Sequence, residues 1–311
     1  MAALTITPTP LRISTMTVTG HLGCAPDLNR LYTQGAFIPY WWIGEGILKI
    51  ELGKDKKGQS NEDILHESTR EKKRFFNQSS LVFRVCLDPS LPLYKEVNIK
   101  LFKNGGFQMT GISSEAMARL ALTRFIEVNA GRGIWPDPGP YLKLFDIRMM
   151  NSDYSIGTSI RRDRLHKLLV ETYGLWSSYE PTIYQGVNTK FFWNKSRSAS
   201  LSPGICVCPD PCAGNGDGYS IGNCKKITIS PFRTGSIIVT GAKNMEQLQD
   251  TYEFMNKVFR DNADLVLREE AEAPVTKAKT SPATTTEGVL RQKIRTSPRN
   301  LITVGPISSK S

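Results

Sequence analysis

Apolar and polar residues alternate along VNIKLFKNGGFQMTG, residues 97–111, and again along ITISPFRTGSIIVTG, residues 227–241. A period of two sends successive side chains to opposite faces of a strand, and each stretch is broken once, at Asn104-Gly105 or Thr234-Gly235, so each predicts a β-hairpin. The two align without a gap at a constant offset of 130, with Ile99/Ile229, Phe102/Phe232, Gly105/Gly235, Thr110/Thr240 and Gly111/Gly241 identical. Behind each hairpin the period changes. Ser113-Ser114-Glu115 opens a segment with Ala118, Ala121, Leu122, Phe125 and Ile126 apolar, and Asn244 opens one with Leu248, Tyr252, Met255 and Phe259. Such spacing behind a polar cap predicts an amphipathic helix in each copy. A hairpin with a covering helix, occurring twice, predicts an α+β fold of two pseudo-symmetric repeats with helices on one sheet face only.

Parity assigns the other face. In the first hairpin Val97, Ile99, Leu101 and Met109 form the class that helices would cover, which leaves Asn98, Lys100, Phe102, Gln108 and Thr110 on the bare side. In the second hairpin the bare class is Thr228, Ser230, Phe232, Ile238 and Thr240. A solvated face is normally more charged and a buried one more apolar. This mixture, with one phenylalanine per repeat, predicts a binding face.

Composition narrows the partner. The 311 residues are 40% hydrophobic, enough for a substantial core, and no run of eighteen apolar residues or signal-peptide pattern occurs, so a soluble intracellular protein with no membrane partner is expected. Forty basic against 29 acidic residues, a formal charge of +11, favour a polyanion. The three histidines, His21, His66 and His166, stand at no recognised spacing from a nucleophile, and no catalytic residue is expected. From Arg268 the chain is rich in Ser, Thr, Pro and Lys, which predicts a disordered basic tail over 268–311.

With the repeat in place, the sequence resembles the TATA-box-binding protein family. The likeness is carried by TMTVTGHLGCAPDLNRL (Thr15 to Leu31), by Tyr179-Glu180-Pro181 with Tyr184-Gln185-Gly186, and by the last hairpin through Thr240-Gly241-Ala242-Lys243. The resemblance implies a saddle, a curved antiparallel sheet with helices on its convex face. It implies an extension over 1–10, a first repeat over 11–130 with an insertion at about 52–96, and a second over 140–267 with a Cys-rich insertion at about 194–224. Both insertions would then lie between the third and fourth strands. The elongated repeats are similar to those of TATA-binding-like proteins of large nucleocytoplasmic DNA viruses.

Such proteins lay the concave sheet on the minor groove and drive aromatic wedges between base steps, behaviour for which this family is itself the type example. The positions that match are Phe102 and Phe232. For the wedges in the stirrups, the loops between the second and third strands, counting back from Lys190 gives Tyr184, and counting back from Lys49 gives Ile43, beside Trp41 and Trp42, so that Trp42 or Ile43 is expected to serve. Thr15, Thr17 and Thr19, with Met149 or Asn151 as the second-repeat counterpart of Thr15, and Thr110 and Thr240 match groove-floor positions, with Asn98, Lys100 and Gln108 beside them. Lys49, Lys190 and Lys243 match residues that reach phosphates, and Lys103 and Arg233 flank the wedges. Double-stranded DNA is the implied partner, with a transcription factor IIB-like protein and RNA polymerase as further ones. Glu180 matches the family's contact to the former, while Thr182 replaces the next glutamate. The implied place of action is a viral factory, the host nucleus or the virion.

Four cysteines, Cys206, Cys208, Cys212 and Cys224, are spaced C-x-C-x3-C-x11-C. They suit a tetrahedral structural zinc, yet the spacing differs from paired C-x2-C ribbons and leaves free thiols or disulfides open. No other cofactor is expected. The leading expectation is a transcription initiation factor that binds and bends promoter DNA with a relaxed TATA preference. An architectural DNA-packaging protein without promoter specificity is the alternative. An enzyme on the same sheet is disfavoured, because no Lys/Asp pair or carboxylate cluster falls on the face expected to be concave.

Overall fold

The computed structural model describes residues 5–60, 63, 77–91, 93–197, 203–206, 208–210, 212–268 and 302–303. Its first repeat runs β1 (Arg12–His21), α1 (Leu28–Gln34), β2 (Gly46–Leu52), β3 (Asp55–Gly58), β4 (Gln78–Asp88), β5 (Leu93–Phe102), β6 (Gly106–Ile112) and α2 (Glu115–Val128). The second runs β7 (Leu144–Ser155), β8 (Ser159–Ile160), α3 (Arg162–Glu171), β9 (Trp176–Ser178), β10 (Asn188–Trp193), β11 (Lys225–Pro231), β12 (Ser236–Ala242) and α4 (Met245–Asp261). One open antiparallel sheet joins them in the order β3-β2-β4-β5-β6-β1-β7-β12-β11-β10-β9. About the central β1–β7 ladder, β2, β4, β5 and β6 answer to β9, β10, β11 and β12. The fold is the expected α+β saddle.

Hydrophobic burial divides by repeat. Val97, Ile99, Leu101, Phe107 and Met109 pack under Leu28, Leu31, Ala118, Leu122 and Phe125 of α1 and α2. At the offset of 130, Ile227, Ile229, Ile237 and Val239 pack under α3 and α4 through Leu165, Leu169, Leu248, Met255 and Phe259. Burying a side chain of this size contributes about 1.5–3 kcal/mol, so these two clusters hold the helices to one face. The caps are as symmetric as the cores: Ser114 accepts from the Met117 amide at 3.1 Å and Asn244 from the Gln247 amide at 3.0 Å.

The turns explain the two glycines that recur in the repeat. The Gly105 amide donates to the Phe102 carbonyl at 2.9 Å and the Gly235 amide to that of Phe232 at 3.0 Å. Each glycine then has a left-handed φ, +88° and +81°, which closes a three-residue hairpin loop. Each also presses on the chain that follows the repeat's first strand, where a Cβ would lie 1.8 Å from the Cys24 carbonyl oxygen or 2.1 Å from that of Thr158. Only glycine serves there.

The expected placement of the insertions is corrected. Residues 78–88, expected within an insertion, form β4, the third strand of the first repeat: Leu81 faces Ile99 as Thr189 faces Ile229. The extra residues of that repeat fall in 53–77, between its second and third strands, and in the long approach to β2, so the two insertions occupy different connections. In the tail, Ile302–Thr303 form a short strand on Tyr94 and Leu93. Residues 269–301 and 304–311 lie outside those described. At the other terminus the Thr7 and Thr9 amides bond to the Ile156 and Ser155 carbonyls, both at 2.8 Å, which fastens residues 5–10 to the second repeat.

Candidate nucleic-acid interface

Phe102 ends β5 and Phe232 directly follows β11, opposite in parity to the core residues beside them, and neither belongs to a core cluster. Both are half-buried, each immediately before its hairpin turn. Their strands are five steps apart in the sheet, roughly 24 Å at the usual strand spacing. That span corresponds to about seven base steps of 3.4 Å.

Between the rings, paired residues form continuous rows across strands. Lys190, Thr228, Thr240, Asn151 and Thr15 are directly opposite one another from β10 through β11, β12 and β7 to β1. In the first repeat Asn98 opposite Thr110 is the counterpart of Thr228 opposite Thr240 at the offset of 130, and Lys100, Gln108 and Thr19 make a second row, the counterpart of Ser230, Ile238 and Asp153. Thr17 lies opposite Met149. Both candidates for the second-repeat counterpart, Met149 and Asn151, therefore share this face. Ile238 is 36% exposed, whereas Ser230, opposite it, is buried at 5%. The short serine side chain lies between the longer Thr228 and Phe232 on its strand face, so it does not reach the open surface as expected.

The second stirrup brings its ring to the wedge position. Tyr184 meets Phe232 edge-on, with ring centroids 5.7 Å apart and planes inclined by 69°. Gly186 lets them meet: a Cβ there would lie 2.9 Å from the Tyr184 ring and 3.1 Å from that of Phe232. An aromatic pair of this kind is worth about 0.5–1.5 kcal/mol beyond burial. Tyr184→Ala is therefore expected to free the Phe232 ring and to lower the unfolding free energy by about that amount plus the burial lost from a ring 42% exposed, read by denaturant titration. Glu180, exposed, anchors the stirrup backbone, its carbonyl accepting from the Ile183 and Tyr184 amides.

In the first repeat the expected stirrup is elsewhere. Trp42 and Ile43 precede β2, and the Trp42 carbonyl accepts from Arg84 Nη1 at 2.7 Å. Arg84 faces Glu96, six residues from Phe102, or about 20 Å along the strand. Trp42 and Ile43 are 55% and 45% exposed at the far end of β4 and β5 and do not meet Phe102. Lys49, expected to reach a phosphate, sits on β2 opposite Val82, the register position of Trp176 rather than Lys190. It is 9% exposed, with Nζ 2.8 Å from Asp63 and 3.1 Å from Glu51. Burial works against its ammonium, but the bonds to those two carboxylates outweigh it and raise the pKa above the ordinary lysine value. By count along the chain, Phe76 takes the Tyr184 position; it lies outside the described residues.

Positive charge borders the floor. Lys100, Lys103, Lys226 and Arg233 are exposed, and Lys190 Nζ donates to the Thr228 hydroxyl at 2.9 Å. Burial, then the neighbouring Lys226, push the Lys190 pKa down, as expected for an ammonium lacking an anion. Two carboxylates that sequence reasoning missed also lie on this face. Asp153 pairs with Arg12, and Asp146 is 3.1 Å from Arg148 and 3.5 Å from Lys243. Lys243 is thus engaged by Asp146, and a Lys/Asp pair is present on the concave side, contrary to expectation. Arg148 Nε also donates to the Thr19 hydroxyl at 3.0 Å. With Phe102, Gln108 and Lys103 it lines a cleft of about 530 Å³.

The four clustered cysteines converge, their sulfurs all within 4.8 Å of one another.

No family model matches the chain. A curated protein named "TATA-box-binding protein-like", from Acanthamoeba polyphaga mimivirus, is 28% identical over 269 residues. The match covers 80% of this chain and 64% of that protein, so the chain spans less than two thirds of its relative's length. Among solved structures, Methanococcus jannaschii TBP aligns with a TM-score of 0.46 and 16% identity, over 81% of this chain and 99% of that one. The resemblance carried by the repeats thus extends to a named protein: over most of its length this chain is similar to a viral TATA-box-binding protein-like protein.

Proposed function

We propose that this chain binds double-stranded DNA along the helix-free face of its sheet and bends it at the minor groove as a transcription initiation factor. One observation carries the reading. Two phenylalanines in matching turns are kept out of both cores and stand five strands apart on a face bordered by lysine and arginine. Benzyl rings suit wedging because they replace base stacking without leaving a polar group unpaired. The name of the mimivirus relative points the same way. No chemical step is assigned to the face, because Asp146 and Asp153 are each engaged by an arginine.

The floor implies a relaxed site preference. In the minor groove, A·T and G·C pairs differ mainly by the guanine amino group, a donor. Side-chain oxygens of Asn98 and Gln108 accept such a donor where an apolar side chain would leave it unpaired. Competition between TATA-containing and G·C-rich duplexes at moderate salt is expected to show near-equal binding, and a strong TATA preference would remove this part of the reading. Footprinting at one position upstream of a start site separates initiation from an architectural packaging role. Glu180, exposed on the stirrup, is the residue on which a transcription factor IIB-like partner would depend.

Affinity is expected to fall steeply with salt. Lys190→Gln and Arg233→Gln should each flatten the slope of log affinity against log salt by about 0.9 for a lost phosphate contact. Unchanged slopes would place the phosphates elsewhere.

A further inference from the structure

Sulfur geometry separates three fates for Cys206, Cys208, Cys212 and Cys224. A disulfide needs its sulfurs about 2.05 Å apart, and the shortest separation here is 3.2 Å, between Cys206 and Cys212. A tetrahedral zinc with Zn–S near 2.3 Å holds its thiolates about 3.8 Å from one another. Cys208–Cys224, Cys208–Cys212 and Cys206–Cys224 measure 3.4, 3.8 and 4.0 Å. Four sulfurs at these spacings enclose a single ion. Asn194 Nδ2 points at the Cys224 sulfur from 3.7 Å, the kind of outer donor that orients a thiolate ligand.

We propose that these four cysteines bind one zinc ion as a tetrathiolate that pins the second repeat's insertion to its sheet and to the start of α4. Each thiol gives up its proton on binding, and the four thiolates over-balance the dication, which the nearby Lys225 and Lys226 help to offset. The connection needs a pin because it is rich in glycine and offers few apolar side chains. Its described residues are nevertheless fixed by specific contacts. Cys224 immediately precedes β11, which carries Thr228 and leads directly into Phe232. Tyr219 packs edge-on against Trp193 at 5.2 Å and its hydroxyl bonds to Asn244, the α4 cap, at 2.7 Å. Gln247 Nε2 reaches the Asp217 carbonyl at 2.7 Å. The metal therefore supports the second repeat whether or not the sheet binds DNA.

The test uses the full chain, purified without a metal-chelating tag. One zinc per molecule is expected, with four thiols resisting alkylation until a chelator is added and Cys24 and Cys86 reacting throughout. Cys208→Ser and Cys212→Ser should lose the metal, Cys24→Ser should keep it, and removal should open 203–224 to limited proteolysis. Should the serine variants fail to fold, cobalt added to the metal-free wild type provides the second measurement, and a tetrahedral thiolate spectrum is expected. A metal-free protein with six reactive thiols, disulfides mapped among the four cysteines, or an octahedral cobalt spectrum would each overturn the assignment.

Discussion

The Phe102→Ala, Phe232→Ala double variant is expected to bind duplex DNA weakly and leave it straight. Stacking a base on an aromatic ring is worth about 1–3 kcal/mol, and each substitution removes one such surface without touching the cores. Each single variant should therefore lose roughly 5- to 150-fold in affinity and a kink at one end of the site only. Stability should hardly change, because neither ring belongs to a core cluster. Bend angles by fluorescence resonance energy transfer between duplex ends, with unfolding curves alongside, check both halves of this expectation. A double variant that still bends DNA like wild type would refute the wedge assignment, and one that unfolds would return the rings to the interior.

Arg84→Met is expected to be among the most destabilising single changes. Arg84 and Glu96 are 4% and 7% exposed and meet at 3.3 Å, and Arg84 Nη1 also bonds to the Tyr40 and Trp42 carbonyls. Arg84→Met takes from Glu96 the guanidinium 3.3 Å away, and breaking a buried pair from one side costs about 3–5 kcal/mol. The loop around Trp41 and Trp42 loses its anchor as well. Arg84→Met combined with Glu96→Leu should recover much of the loss, since replacing both charges with packed apolar groups is often neutral. Denaturant unfolding of the two singles and the double completes the cycle; a single variant within about 1 kcal/mol of wild type would show the pair to be dispensable.

Much of the fold was legible because the hairpins and helices repeat at one fixed offset. Parity alone put Ile99 and Ile229 inside and Phe102 and Phe232 outside, and a single polar residue marked each helix start. The first stirrup was not legible for a physical reason. Lys49 and Lys190 look alike in a count along the chain, but a strand's identity is set by its partners, and Lys49 lies opposite Val82 on β4. The alternation of Leu81, Phe83 and Val85 is the signal that would have found that strand. The Arg12–Asp153 pair was hidden for a related reason. Arg12 and Asp153 are 141 residues apart and meet only across the central ladder.

One half is longer ahead of its third strand and the other behind it, so the approximate dyad relates strands, hairpins and covering helices but not the connections between them. The two ends of the sheet are therefore unequal, which gives the molecule a direction that its strand order alone lacks.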